Sequence, residues 1–429
     1  MKRRLLLVCL MFSLLPLPAQ AVFSDAWAAL RDDPRGVSVS VGSLEITQLN
    51  AGKESLALLN GFLSPWELQV SDVSGNGMIR LTDRDSGQTV CFQAEQTGRS
   101  LPFLSGADAL EDLWETVLPG LFTQLTGEEP PETEEVSTYF RVLGRSAARQ
   151  SLTISPEQFR ALPRDTLSPL FSCLTDLFRG CAAAPFVSAY LDSLTLEGEM
   201  TVRRNLDDAG RDMAFQFGGR IGSDGEDIRK LTFIIGKNGD IFYFSVKAPA
   251  VRGGGSFQAS LTVPAWSENK TRASRKITWS VRRTADKNTW KLTDTLQLSS
   301  QKGKNEAISA GFQRELNDGS VKQVWQLTLK LQSDGDGTLR GTLSGRQQHA
   351  ATDVVRWQAA VSAGPAGSTP DAGAVSEAEA AVLLARMLSQ KRSQLSQSGR
   401  RQLDHLLRTD SWMNGAAAAP LPEMNETEE

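Results

Sequence analysis

Apolar and polar residues alternate with a period of two through much of the chain, most regularly from Ser193 to Ala363. Val321, Gln323, Trp325, Leu327, Leu329 and Leu331 mostly share one parity, and Lys322, Gln326, Thr328, Lys330 and Gln332 the other. Ile277, Trp279 and Val281 repeat the pattern, as do Trp290, Leu292, Leu296 and Leu298, then Val355, Trp357 and Val361. Successive side chains of a strand point to opposite faces, so this period predicts strands with one apolar and one wet face. About eleven such segments are separated by turn signals such as Asn238-Gly239, Gly253-Gly254-Gly255, Asn317-Asp318-Gly319 and Asp334-Gly335-Asp336-Gly337. Short hairpin connections make the meander antiparallel. Strand twist accumulates across a sheet of this width, which predicts curling into a half-barrel.

Helical spacing replaces alternation elsewhere. Ala107–Leu125 places Leu110, Leu113, Trp114, Val117 and Leu121 on one stripe, with a kink expected at Pro119. Ser168–Arg179 and Ala183–Leu191 are further helices, and together residues 107–191 are expected to cover the concave side of the sheet. Before them, Val37–Val41, Leu44–Thr47, Trp66–Val73, Met78–Thr82 and Thr89–Ala94 read as strands around a short helix, Leu56–Leu63. Glu128–Glu135 is acidic and proline-rich, hence an exposed loop. Two strands follow in Ser137–Ile154, and Ser155-Pro156-Glu157-Gln158 opens a helix with a capping box. Gly364–Gly373 reads as a flexible linker. Ser376 and Glu379 cap a helix with Val382, Leu383, Met387 and Leu388 as its stripe, and a second helix covers Arg400–Leu407. The expected class is therefore α+β, mainly β. Residues 22–192 and 193–363 form one structural unit, followed by a linker (364–375), C-terminal helices (376–410) and a disordered acidic tail (411–429).

The N-terminus changes the picture. Lys2-Arg3-Arg4, the apolar Leu5–Leu17 and Ala19-Gln20-Ala21 have the layout of a cleavable signal peptide, residues 1–21. Thirteen apolar residues are too few to span a bilayer. Export to a periplasmic, cell-envelope or secreted location is expected, with no transmembrane segment after cleavage. The net charge of −4 becomes −7 once the three leader cations are removed. That balance argues against nucleic acid as a partner, because phosphate binding needs clustered cations. Cys91, Cys173 and Cys181 remain, an odd number, so at least one thiol is free or pairs between molecules.

Candidate chemistry is sparse. Only His349 and His405 are present, and no Gly-x-Ser-x-Gly elbow, phosphate loop or His-Glu-x-x-His occurs. Asp72, Ser74 and Asn76, with Gly77 and Asp83, match several positions of a calcium loop, but Asp stands where a bidentate Glu is required. A plain hairpin accounts for them better. Paired carboxylates such as Glu197 and Glu199 would suit a hydrolase acting on wall sugars, yet 50 acidic residues produce such pairs by chance. No catalytic, cofactor-binding or metal-binding residue is assigned. Nine tryptophans against three tyrosines is an unusual ratio. Trp279, Trp290, Trp325 and Trp357, with Leu296, Phe312 and Leu327, either fill a core or line an apolar ligand face.

The strand pair in Ser137–Ile154, the Ser155-Pro156-Glu157-Gln158-Phe159 helix start and the meander after Ser193 resemble the half-barrel lipid carriers of bacterial envelopes, the lipoprotein-localisation-factor (LolA) and LppX-like proteins. The likeness covers roughly residues 37–363 and is architectural. It implies a curved sheet with a helical lid over an apolar cavity. The chain departs from it in lacking a lipid-anchoring cysteine and in adding C-terminal helices. The function expected from residues and resemblance together is a non-enzymatic exported protein binding a hydrophobic small molecule or a lipidated protein. The alternative is an envelope scaffold with a filled core; the oligomeric state is left open.

Overall fold

The computed structural model describes residues 33–49, 53–73, 76–93, 113–127, 131–161, 198–221, 229–239, 241–249, 255–285, 288–302, 306–319, 321–335, 337–350, 352–366 and 374–408. The leader, the helices expected at 168–179 and 183–191 with Cys173 and Cys181, and the tail 411–429 lie outside them.

Among the described residues eighteen strands pair in antiparallel ladders, so the mainly β class follows as alternation predicts. The first six are β1 (Val37–Leu49), β2 (Trp66–Val73), β3 (Asn76–Asp83), β4 (Thr89–Gln93), β5 (Thr133–Phe140) and β6 (Gly144–Ile154). Next come β7 (Met200–Leu206), β8 (Asp212–Ile221), β9 (Arg229–Asn238), β10 (Ile241–Pro249), β11 (Gly255–Val263) and the short β12 (Ser267–Glu268). The last are β13 (Arg272–Ala285), β14 (Asn288–Gln301), β15 (Ala307–Asn317), β16 (Lys322–Ser333), β17 (Leu339–His349) and β18 (Thr352–Pro365). The helices are α1 (Lys53–Leu63), α2 (Leu118–Thr126) after a π-helical turn at Leu113–Val117, α3 (Pro156–Ala161), α4 (Glu377–Ser393) and α5 (Gln397–Arg408). After Ser193 the described chain holds eleven long strands and the two-residue β12, close to the number read from the turn signals.

The chain divides into two compact units. The first has its described part in Thr97–Ser300 and Phe312–Lys322, the second in Phe23–Gln96, Gln301–Gly311 and Gln323–Glu429. In the first, ladders run in the order β5, β6, β7, β8, β9, β10, β11, β13. Asn238-Gly239 makes the β9–β10 hairpin, with Gly239 at φ 55°, a left-handed turn conformation that glycine adopts without a Cβ penalty. In the second, the order is β4, β3, β2, β1, β18, β17, β16. β1 carries a bulge between Ile46 and Gln48 against β18, and Asn60 of α1 closes on it. Its side-chain oxygen accepts from the Ile46 amide at 2.6 Å, and its amide nitrogen donates to the Ile46 carbonyl at 2.9 Å.

Both expected capping boxes form. The Ser155 amide donates to Gln158 Oε1 at 2.8 Å and the Gln158 amide to Ser155 Oγ at 3.2 Å. Ser376 and Glu379 make the same exchange at the start of α4.

Several local expectations need correction. Pro119 follows a π-helical turn directly rather than standing in the middle of one α-helix. It stands in the first turn of α2, where a missing N–H leaves no bond unmade. Glu134 and Glu135 are strand rather than loop, opposite Arg149 and Ala148, and Arg149 supplies the countercharge at 3.7 Å. β18 continues through Gly364 and Pro365, which pair with Ser38 and Val37, so the linker starts later than its composition suggests. Val382 is exposed, and the buried stripe of α4 is Ala380, Met387 and Lys391, with Leu383 and Leu384 half-buried. In β16 the buried set is Leu327, Leu329 and Leu331, while Val324 is buried on the opposite parity.

Candidate functional site

Alternation in the first unit places side chains in cross-strand rows on one face. One row, read from register, is Gln150, Arg204, Phe215, Ile235, Phe244, Leu261 and Trp279. Its neighbour is Leu152, Val202, Phe217, Phe233, Val246, Ala259 and Val281. Phe217 meets Phe233, and Phe233 meets Phe244, edge to face with ring centres 5.3 Å apart. Such pairs add about 0.5–1.5 kcal/mol to the burial itself.

Helix α2 and its π-helical turn sit on this face. The Trp114 ring stands 5.7 Å and the Phe122 ring 6.1 Å from that of Phe215, both edge on. Leu118 and Leu121 are buried beside them. A π turn accommodates one extra residue in the helix and re-aims its neighbours; here Trp114 lies within it. Phe215, Ile235 and Phe244 are fully shielded from solvent.

Charges interrupt the face at two places. Arg204 donates from Nε and Nη2 to the Asp212 carboxylate at 2.5 and 3.1 Å, and its guanidinium lies 5.7 Å from the centre of the Phe122 ring. Arg314 donates to both oxygens of Asp294 at 2.8 and 2.7 Å and stands over Phe312 at 5.8 Å. The Asp294 side chain is only 2% exposed, between Leu292 and Leu296 on the apolar parity of β14. A buried bidentate pair offsets its own desolvation only when the geometry is good, and both partners are then needed.

The seven residues singled out by sequence divide between the units. Trp279, Leu296 and Phe312 are buried and Trp290 half-buried in the first, all on the face just described. In the second, Leu327, Gly345 and Trp357 are successive register partners, with Trp325 on the same parity as Leu327. A Cβ on Gly345 would lie 2.1 Å from Trp357 Cε2, so the indole lies directly over that glycine. Trp357 packs with Ile46, Leu59, Phe62, Val355 and Leu403, beneath α1 and α5. Trp325 is half-buried.

A second polar cluster lies in the second unit. Lys391 Nζ donates to Asp83 at 2.8 Å and to Asp85 at 3.0 Å, and stands 5.7 Å from the centre of the Trp66 ring. Burial opposes ionisation of Asp83, but hydrogen bonds from Lys391, Ser86 and the Asp85 amide outweigh it and hold the carboxyl below its ordinary value. Burial likewise opposes the charge on Lys391, and the bonds to Asp83 and Asp85 raise its pKa in spite of it. Asp83, the last position of the calcium-like pattern, is therefore engaged by an ammonium. The pattern itself is a hairpin in which Asp72 pairs with Gly77 and Val73 with Asn76. Among the described residues no group of three potential ligands is close enough to hold a metal.

Sequence reasoning missed Arg204, Asp212, Asp294, Arg314 and Lys391. The signal was available as a break in period: Arg204 separates Val202 from Leu206, and Arg314 separates Phe312 from Leu316. Lys391 falls four residues after Met387 on the stripe of α4. No helix of the described residues is long and apolar enough to cross a membrane. Comparison with protein-family models and with curated proteins finds no match.

Proposed function

We propose that the chain is an exported, non-enzymatic binding protein that holds a hydrophobic small molecule or the acyl chain of a lipidated protein on the apolar face of β6–β14, with α2 as its lid. One observation carries the proposal: across β8, β9, β10, β11 and β13 two cross-strand rows are wholly apolar, and they meet a short helix whose contact residues, Trp114 and Phe122, offer the same chemistry a greasy ligand would. A small amphipathic element can leave such a face without unpairing the sheet. Its role parallels the lid implied by the resemblance to half-barrel envelope lipid carriers. Export follows from the leader-like N-terminus, and the protein needs no chemical step to act.

The test is native mass spectrometry of residues 22–429 purified without detergent, beside the Trp114→Ala/Phe122→Ala variant. The expected result is an adduct that disappears on denaturation, with faster exchange of that ligand in the variant. Polypeptide mass alone, together with no uptake of a hydrophobic fluorophore by either protein, would sink the proposal. One observation favours the scaffold alternative: the inward side chains are already shielded, with Phe215, Ile235 and Phe244 at 0% exposure. In that case α2 is a permanent part of the core, and the double variant unfolds rather than exchanging.

A further inference from the structure

The opposite face of the first unit carries a different feature. On the polar parity, strands β10, β13 and β14 hold five described Lys and Arg: Lys247, Arg272, Lys276, Arg282 and Lys291. Their one carboxylate, Asp294, is buried against Arg314 on the apolar face, and the short β12 beside β13 adds an exposed Glu268. The chain as a whole is acidic, at −4, so the asymmetry is local. Lys247, Gln258 and Arg282 are successive register partners on the polar face. The Thr284 and Thr289 hydroxyls, 3.4 Å apart, set the β13–β14 hairpin register, which places Lys291 across from Arg282. Lys247, Arg282 and Lys291 are exposed, and none has an ion-pair partner among the described residues. Adjacent strands are about 4.8 Å apart, so the three charges lie within about 15 Å along one line.

Like charges directly opposite each other destabilise a sheet. Such a row, balanced otherwise only by mobile ions, is attracted to an anionic surface within a Debye length. We infer that this face docks the protein on an anionic lipid surface, Lys247, Arg282 and Lys291 contacting phosphate head groups while the apolar face stays turned away. Lys276 and Arg203, exposed on the same parity, extend the charged field. A nucleic acid fits less well. The exposed large hydrophobic residues of the described chain are Tyr139 and Val382, neither on these strands, so bases would find no stacking platform. The inference adopts the export reading above but not the ligand, since the two faces are separate.

The test is co-sedimentation of the mature chain with phosphatidylglycerol–phosphatidylcholine vesicles and with phosphatidylcholine vesicles, at low and high salt. Binding is expected only to the anionic vesicles, and is expected to fall with salt. Each cation near such a surface contributes about fivefold, so Lys247→Gln/Arg282→Gln/Lys291→Gln should bind about a hundredfold more weakly. A charge-matched variant, Arg35→Gln/Arg211→Gln/Lys322→Gln, removes cations that are already ion-paired and should bind as the parent does. Circular dichroism establishes that both variants fold. Equal loss in the two variants, equal binding to phosphatidylcholine, no vesicle binding at all, or a preference for single-stranded DNA over anionic vesicles each overturns the inference. The adduct measured by native mass spectrometry is unaffected by any of these outcomes, so failure here and failure of the ligand proposal can be told apart.

Discussion

Replacing Lys391 with alanine tests whether the C-terminal helix is held by a buried charge. Helix α4 lies over Val90 and Phe92 through Ala380 and Met387, and the Val375 amide donates to the Cys91 carbonyl at 2.9 Å, adding one bridge to the edge of β4. Lys391 closes the far end of that contact. Truncating it leaves the buried Asp83 carboxylate with only the Ser86 hydroxyl and the Asp85 amide. Removing one member of a fully buried pair costs about 3–5 kcal/mol. Asp85 is 65% exposed, so its share is near the small value of a surface pair. The expected cost is therefore about 2–4 kcal/mol, felt where α4 opens locally. Hydrogen exchange reads this directly: amides of α4 should exchange about thirty- to a thousandfold faster, while those of β8–β10 stay protected. Lys391→Met should behave similarly, because it keeps the stem but still abandons Asp83. Adding Asp83→Asn to Lys391→Met should restore much of the protection, since the orphaned charge is gone. Exchange in α4 within threefold of the parent, or acceleration spread equally over the core strands, would refute the assignment of Lys391 as the fastening.

The same cluster sets a pH window. Asp83 has its pKa lowered from an ordinary 3.8, so its contribution is present above that value and is lost as pH falls through the lower folded value. Lys391 has its pKa raised from 10.5, so its contribution is present below that value and is lost as pH rises through the folded one. Protection of α4 should be flat between about pH 5 and 9 and fall in acid; a decline already beginning near pH 7 would show that another group controls it. For the pair on the apolar face, Asp294→Asn should lower stability by about 2–4 kcal/mol in urea unfolding, because the bidentate bond from Arg314 to the buried Asp294 carboxylate is lost. Asp294→Leu/Arg314→Met should be neutral or stabilising if the pair is structural. A double variant as unstable as Asp294→Asn would mean that the pair specifies the β14–β15 pairing.

Strand parity was the most legible part of the sequence. It depends on a strict period of two, and one residue of slip would exchange the faces, so Trp279, Leu296 and Phe312 could be assigned to one face without a structure. Helix boundaries were less legible because tertiary contacts overrode local pattern. Val382 fits the apolar stripe by spacing, yet the seat on β4 is met by Ala380, Leu384 and Met387, and Val382 is turned outward. Lys391 reads as a solvated residue near a helix C-terminus, and only its partners 306 and 308 positions away make it a buried one. The cationic row was hidden for a related reason. Cations at alternate positions look scattered along the chain, but antiparallel register brings Lys247, Arg282 and Lys291 into line.

Close packing of the apolar face limits what could bind there. Trp114, Leu118, Leu121 and Phe122 are all buried where α2 meets the sheet. Burying each such side chain contributes about 1.5–3 kcal/mol, so lifting the helix costs on the order of 6–12 kcal/mol before any ligand enters. A small aromatic or short-chain molecule cannot offset that, because its own burial is worth less. A long acyl chain laid across several strands can, since each buried methylene returns about 0.8 kcal/mol. The row from Phe215 to Trp279 crosses five strands, about 19 Å at the ordinary strand spacing. A ligand bound beneath α2 must therefore be long and largely saturated with apolar contacts. Uptake of a short-chain probe with the helix still protected from exchange would contradict this, and would point to a cavity that does not involve α2.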